Sequence, residues 1–271
     1  MVCCALWGSA FPCVKTGYRL FAIAATDTPS QLLFAGSRFF LAGLLTIGIA
    51  SIQNHRFITL VPSHLPQVLT LSMFQTILQY VCFYIGLAHT IGVKGSIISG
   101  TNSFFAILIA VIIFKQERFS LKKITGCIIG FLGLVLISTN GSAIDMHFNL
   151  SGDGMVLLSA IASAFSTVLI RSFGKNADPV MLSGYQFLIG GAAMAVFSFI
   201  SGGRLQPSSW TAIMLLIYMA MISAVAYTLW ALLLKFNSVS RITVFGFMTP
   251  VFGVFLSALI LKEYDMIDLT C

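Results

Sequence analysis

The sequence predicts an all-α, polytopic membrane protein, a helix bundle of two inverted five-helix repeats. Three observations predict it. Hydrophobic residues make up 58% of the chain and charged residues 8%, whereas a soluble domain is about a quarter charged. The apolar residues fall into blocks of roughly 20, enough for a helix to cross a hydrocarbon core about 30 Å thick. The second half of the chain also echoes the first at a nearly constant offset. Barrel strands are excluded, because they would alternate apolar and polar residues over about ten positions.

Charged residues, glycine, proline and asparagine punctuate the chain into nine spans, at about 2–24, 31–52, 66–89, 92–114, 122–139, 153–172, 180–200, 209–235 and 239–261. The links are short: QNHRFITLVPSH (53–64), KQERFSLKK (115–123), SFGKNADP (172–179) and SGGRLQPS (201–208). No soluble domain or long linker interrupts them. Met1 stands almost inside the first span and no basic leader precedes it, so no cleavable signal peptide is expected.

The net charge of +7 would suggest nucleic acid in a soluble protein, but the basic residues lie mainly in the short connections, so the membrane surface is their expected partner and nucleic acid is not. With a cytoplasmic amino terminus, nine basic residues fall in cytoplasmic connections: Arg56, Lys115, Arg118, Lys122, Lys123, Arg171, Lys175, Lys235 and Arg241. Four fall outside: Arg19, Lys94, Arg204 and Lys262. That excess sets the predicted orientation. The six cysteines are scattered without a CxxC pair and read as small apolar fillers, so no metal or cofactor is expected.

Sliding the chain by 146 residues lays GVKGSIISGTNSFFAILIAVIIFKQE (92–117) over SVSRITVFGFMTPVFGVFLSALILKE (238–263) without a gap. Gly100 then meets Gly246, Phe104 meets Pro250 and Glu117 meets Glu263. A shift of 148 places GSRFFLAG (36–43) over GYQFLIGG (184–191). The expected division is a first repeat over 1–140 and a second over 150–271. Five spans is an odd number, so the second repeat must enter the membrane from the opposite side, the arrangement of many alternating-access transporters. KEYDMIDLTC ends where the first repeat continues into its fifth span, so the tenth helix is expected to be missing and the chain reads as truncated or as a fragment.

WGSAFPCVK, SRFFLAG, IGLAHTIGVKGSIISGTNSFFAIL and KQERFSLKKITGCIIGFLGLVLI, taken in order, resemble the EamA-type transporters of the drug/metabolite transporter superfamily. The resemblance implies ten helices in two inverted halves, both termini cytoplasmic, around a central substrate path. It also implies export of small metabolites, often amino acids, across a bacterial inner membrane. Phe104 departs from the family pattern, which has proline there; here that proline occurs only at Pro250.

The candidate substrate-binding residues are Trp7, Lys15, Gln79, Tyr84, Asn102, Tyr227 and Trp230. Trp7, Phe11 and Lys15 recur every four residues and share one helix face. A shift of 156 relates Lys15 to Arg171 in the sixth span. Lys15 and Arg38 are cations inside spans. Each faces a substrate carboxylate or snorkels to headgroups and helix carbonyls, and both readings stand. Gln75, Gln79 and Phe83 form an i, i+4 series, while Tyr84, Tyr227 and Trp230 offer ring faces with polar tips. Asn102 is an amide deep in a span and needs partners. Glu117 and Glu263 read as interfacial caps.

All eight carboxylates fall in connections or at helix ends, so no midplane acid relays a proton, which argues for facilitated diffusion or coupling through the substrate's own charge. The expected function is carriage of a small metabolite through a central cavity, with the lipid bilayer as the second partner. The sequence sets no oligomeric state. A structural or accessory membrane subunit is the alternative. An intramembrane enzyme fares worse, without HExxH, a GxSxG elbow or paired membrane aspartates.

Overall fold

A computed structural model describes residues 1–271 except 25, 91, 119, 140–147 and 262–271. Among the described residues the secondary structure is helical throughout, in nine segments. They are α1 (Val2–Leu20), α2 (Thr28–Gln53), α3 (65–88), α4 (92–113), α5 (Leu121–Thr139), α6 (150–173), α7 (Pro179–Ile200), α8 (Trp210–Phe236) and α9 (239–261). Five stretches are long and apolar enough to cross a membrane, the second of them including the 3-10 turn Pro62–His64 that leads into α3: Thr28–Gln53, Pro62–Gly86, Leu150–Phe173, Pro179–Ile200 and Trp210–Phe236. The chain is a polytopic helical membrane bundle, and the nine segments follow the nine apolar blocks.

The helix ends explain where the blocks and helices differ. The apolar pattern carries the first span to residue 24, yet α1 stops at Leu20. Ala22 takes a left-handed φ of 52°, Ile23 N donates to Tyr18 O at 2.9 Å and Ala22 N to Arg19 O at 3.3 Å. This double closure normally uses glycine, so alanine in that role left no punctuation in the sequence. The starts of α2 and α7 are explicit by contrast: Asp27 accepts from Ser30 N at 3.1 Å and Asp178 from Val180 N at 2.9 Å, each with proline in the first turn.

The fourth and ninth segments are interrupted at corresponding places. In α4, Gly92–Gly100 gives way at Thr101 to Asn102–Leu108, and in α9 a 3-10 turn at Val244–Phe247 separates Val239–Thr243 from Met248–Leu261. Gly100 and Gly246 are the residues the 146-residue offset superposes. In α9, Pro250 has no N–H for the Gly246 carbonyl, which accounts for a break one turn earlier. Irregular backbone at membrane depth is tolerated where protein or a cavity surrounds it.

α2 and α7 form the central seam. A Cβ added to Gly36 would sit 2.6 Å from Ala195 N, one on Gly43 2.5 Å from Leu188 N, and one on Gly191 2.3 Å from Phe40 N. As the numbers rise along α2 they fall along α7, so the two helices run antiparallel with glycine letting their backbones touch, the close approach that drives association in lipid. The other segments pack around this seam in matched fashion. α8 lies on α2 as α3 lies on α7, and α1 packs on α8 and α9 as α6 packs on α3 and α4.

Alternate connections meet at opposite ends. At one, Tyr185 OH donates to Ile58 O at 2.9 Å, and Ser240, which begins α9, reaches Glu117 beyond α4. At the other, Ser208 N donates to Leu20 O at 2.9 Å, Arg204 N to Ser30 Oγ at 2.9 Å, and Thr90 Oγ1 to Asp153.

Candidate functional site

α1, α2, α3, α7 and α8 converge on a cage of aromatic rings. Trp7 packs edge-on against Tyr227 and Trp230, both at 5.0 Å between centroids. Phe187 meets Tyr227 at 4.9 Å and Phe39 at 5.3 Å, and Phe39 meets Tyr80 at 4.4 Å. The Tyr80 and Tyr227 hydroxyls close the ring at 2.5 Å. Tyr84 lies 6.4 Å from Tyr80 and 6.5 Å from Tyr18. Each ring contact contributes about 0.5–1.5 kcal/mol beyond the area it buries.

Three polar atoms in this region are buried without a hydrogen-bond partner: Trp7 Nε1, Gln79 Oε1 and Tyr18 OH. The Tyr18 hydroxyl stands beside Tyr84 but outside hydrogen-bonding geometry. A buried group left unpaired costs about 1–3 kcal/mol. Donors and an acceptor held unpaired among ring faces suit a ligand with an apolar body and polar ends.

Arg38 borders the same cage. Its side chain is almost wholly buried, 4% exposed, although it carries a full charge. Nε donates to Ser223 Oγ at 2.9 Å, and the guanidinium carbon lies 5.1 Å from the Phe39 ring centroid. Among the described residues no carboxylate pairs with it.

The sequence candidates divide accordingly. Trp7, Tyr84, Tyr227 and Trp230 come together in the cage, with Gln79 beside Tyr227. Lys15 and Asn102 do not join them. Lys15 is exposed; it follows Trp7 by two turns, about 12 Å along the axis, so a shared face does not bring the two to one depth. Asn102 Nδ2 donates to Ser163 Oγ at 2.8 Å and ties α4 to α6. Gln75, the first of the i, i+4 series, is a buried tie, accepting from Gln186 Nε2 at 2.8 Å. Tyr18, Phe39, Tyr80 and Phe187 were not singled out from sequence. Two signals pointed to some of them: the i, i+4 spacing of Tyr80 and Tyr84, and the 148-residue offset that lays Phe39 over Phe187.

A second polar cluster closes one end of the bundle. Glu117, its side chain 3% exposed, receives Lys123 Nζ at 2.7 Å and Ser240 N at 3.3 Å, accepts from Ser240 Oγ, and lies 3.8 Å from Arg171 Nη1. Arg171 also donates to Gln116 Oε1 at 3.2 Å and Asn237 O at 2.9 Å. Burial alone would push the Glu117 carboxyl up, but the hydrogen bonds from Lys123 and Ser240 outweigh it and hold the group below its ordinary value. The interfacial reading of Glu117 matches this geometry; Glu263 lies outside the described residues.

The family model of the EamA-like transporters matches residues 1–139 and again 150–264. The chain is 27% identical to a chloroplastic WAT1-related protein of Arabidopsis thaliana over 95% of its own length, and it spans 61% of that relative. It is also 27% identical to the uncharacterized transporter YvbV of Bacillus subtilis, covering 95% of this chain and 81% of that one. A crystal structure at 16% identity has the same fold, with a TM-score of 0.71 over 93% of this chain and 89% of the other. The protein is therefore a multi-pass membrane transporter, not an enzyme, and belongs to the EamA-like transporter family.

Proposed function

We propose that the protein carries a small metabolite, an amino acid or related compound, outward across a bacterial inner membrane by alternating access. The carrier consists of two inverted repeats, 1–140 and 150–271, with the amino terminus cytoplasmic. The antiparallel α2/α7 seam, the matched packing of the flanking helices and the matched breaks in α4 and α9 support the inverted arrangement. The excess of basic residues around the Glu117 end supports the orientation.

The observation that carries the reading is the aromatic cage with its unpaired Trp7 Nε1 and Gln79 Oε1. Trp7, Gln79, Tyr84, Tyr227 and Trp230 hold the cargo, and Lys15 and Asn102 stand farther along its path. Rocking of one repeat against the other would open the cage to either side in turn.

Reconstitution tests this. Liposomes containing the protein should exchange a labelled metabolite from a panel of amino acids and related compounds, and Trp230→Ala should abolish that exchange at equal protein content. Liposomes that exchange nothing in the panel would favour the accessory-subunit reading.

A further inference from the structure

The 148-residue offset that superposes α2 on α7 also relates two buried hydrogen bonds. Arg38 corresponds to Gln186 and Ser223 to Gln75. Gln186 Nε2 donates to Gln75 Oε1 at 2.8 Å, and Arg38 Nε donates to Ser223 Oγ at 2.9 Å. One position is thus built twice, once neutral and once charged.

The two copies differ in completeness. Gln186 is 1% exposed and fully engaged, because its Oε1 also accepts from Thr76 Oγ1 at 3.1 Å and its backbone carbonyl from Ser72 Oγ at 3.0 Å. The neutral copy shows that a glutamine suffices to tie α7 to α3. Arg38 ties α2 to α8 with one hydrogen bond, and its two terminal nitrogens have no hydrogen-bond partner among the described residues. A buried charge is costly unless it is paired. Helix packing alone does not call for one here.

We propose that Arg38 is the anchor for an anionic group on the cargo, so that the substrate class is a small organic acid or zwitterion whose carboxylate takes the terminal nitrogens and whose apolar body lies against the rings of the cage. The planar guanidinium suits a carboxylate in two-point contact. The Phe39 ring, 5.1 Å from the guanidinium carbon, lowers the cost of burying the charge. The proposal rests on the transporter reading and specifies its cargo.

The test measures binding apart from flux. Wild-type protein in nanodiscs of phosphatidylcholine alone is titrated with monocarboxylates and with the matching primary amides. Arg38→Gln and the double variant Arg38→Gln/Ser223→Gln, which copies the Gln186–Gln75 pair, are titrated alongside. At least one carboxylate should bind at least tenfold more tightly than its amide, a difference of about 1.4 kcal/mol. Both variants should lose that preference. A preference retained by the variants overturns the proposal, as does wild-type protein that never distinguishes acid from amide; the second result needs no variant to fold. An anionic lipid that displaces the carboxylate from wild type would make Arg38 a headgroup site, which also overturns it. Flux of neutral compounds with no binding of acids refutes the anchor but leaves the carrier standing, whereas no flux of any compound refutes the carrier.

Discussion

Lys123 Nζ lies 2.7 Å from Glu117 Oε2, and through Glu117 it is joined to Ser240 at the start of α9 and to Arg171 at the end of α6. One carboxylate thus ties α4, α5, α6 and α9 together at one end of the bundle. Because Glu117 is held below its ordinary pKa, its contribution to stability is present above the unfolded carboxylate value of about 4.3 and is lost as the pH falls through the lower folded value. The detergent-solubilised protein should lose thermal stability on acidification below about pH 4.3. Glu117→Gln should remove that component of the pH profile, and Glu117→Ala should cost on the order of 2 kcal/mol at neutral pH. Identical profiles for wild type and Glu117→Gln below pH 4.3 would show that the knot contributes nothing to folding.

Trp7→Phe separates ring from polar tip. The change keeps the edge-on contacts with Tyr227 and Trp230 but deletes the unpaired Nε1 donor. Thermal stability should hold or rise, since an orphan donor is removed. Cargo binding should weaken by about 2–10-fold, the worth of one hydrogen bond. Equal binding by both proteins, measured as half-saturation of exchange, would mean that the indole donor never meets the cargo.

The α2/α7 seam predicts a contrast between glycines of one helix. Gly43→Ala would place a Cβ 2.5 Å from Leu188 N and 2.8 Å from Gly184 O, where backbone and not a flexible side chain must move. A cost of about 1–3 kcal/mol is expected, as for other overpacked sites. Gly48→Ala meets nothing within 4 Å and should be neutral or stabilising. Melting midpoints of the two variants, purified in the same detergent, decide the matter; a Gly43→Ala protein as stable as Gly48→Ala would mean the seam is looser than its geometry.

How much of this could be read from the chain depended on which physical signal each feature leaves. Apolar blocks expose the helices, because every span must bury its backbone hydrogen bonds within itself. Duplication exposed the correspondence of α2 with α7, since one offset carries Gly36 and Gly43 onto Gly184 and Gly191, but not that the two helices touch. The end of α1 escaped because Ala22, not glycine, takes the left-handed turn. The break at Thr101 escaped because it has no proline, unlike its counterpart before Pro250. Arg38 stood out as an expensive cation, yet its bond to Ser223, 185 positions away, depends on helix packing that local spacing does not encode. For Lys15, spacing fixes the face it shares with Trp7 but not a common level, since eight residues carry it about 12 Å along the axis.

The last prediction concerns which end of the bundle faces the cytoplasm. Lys175 follows α6 near the Glu117 knot, whereas Ser201 follows α7 and therefore lies at the opposite end, and both are exposed. Cys3, Cys4, Cys13, Cys82 and Cys127 are all buried, so they should give little background with a membrane-impermeant maleimide, and Cys271, outside the described residues, is replaced by serine in both reporters. Lys175→Cys and Ser201→Cys provide one reporter at each end without disturbing the core. If the basic end is cytoplasmic, the reagent added to intact cells should label the residue-201 variant, and the residue-175 variant should react only after the membrane is opened. The reverse pattern would place the Glu117 knot outside and turn the proposed direction of export around. Labelling of both variants in intact cells would go further, because residues 175 and 201 are separated by α7 alone, and it would remove α7 as a membrane-crossing helix.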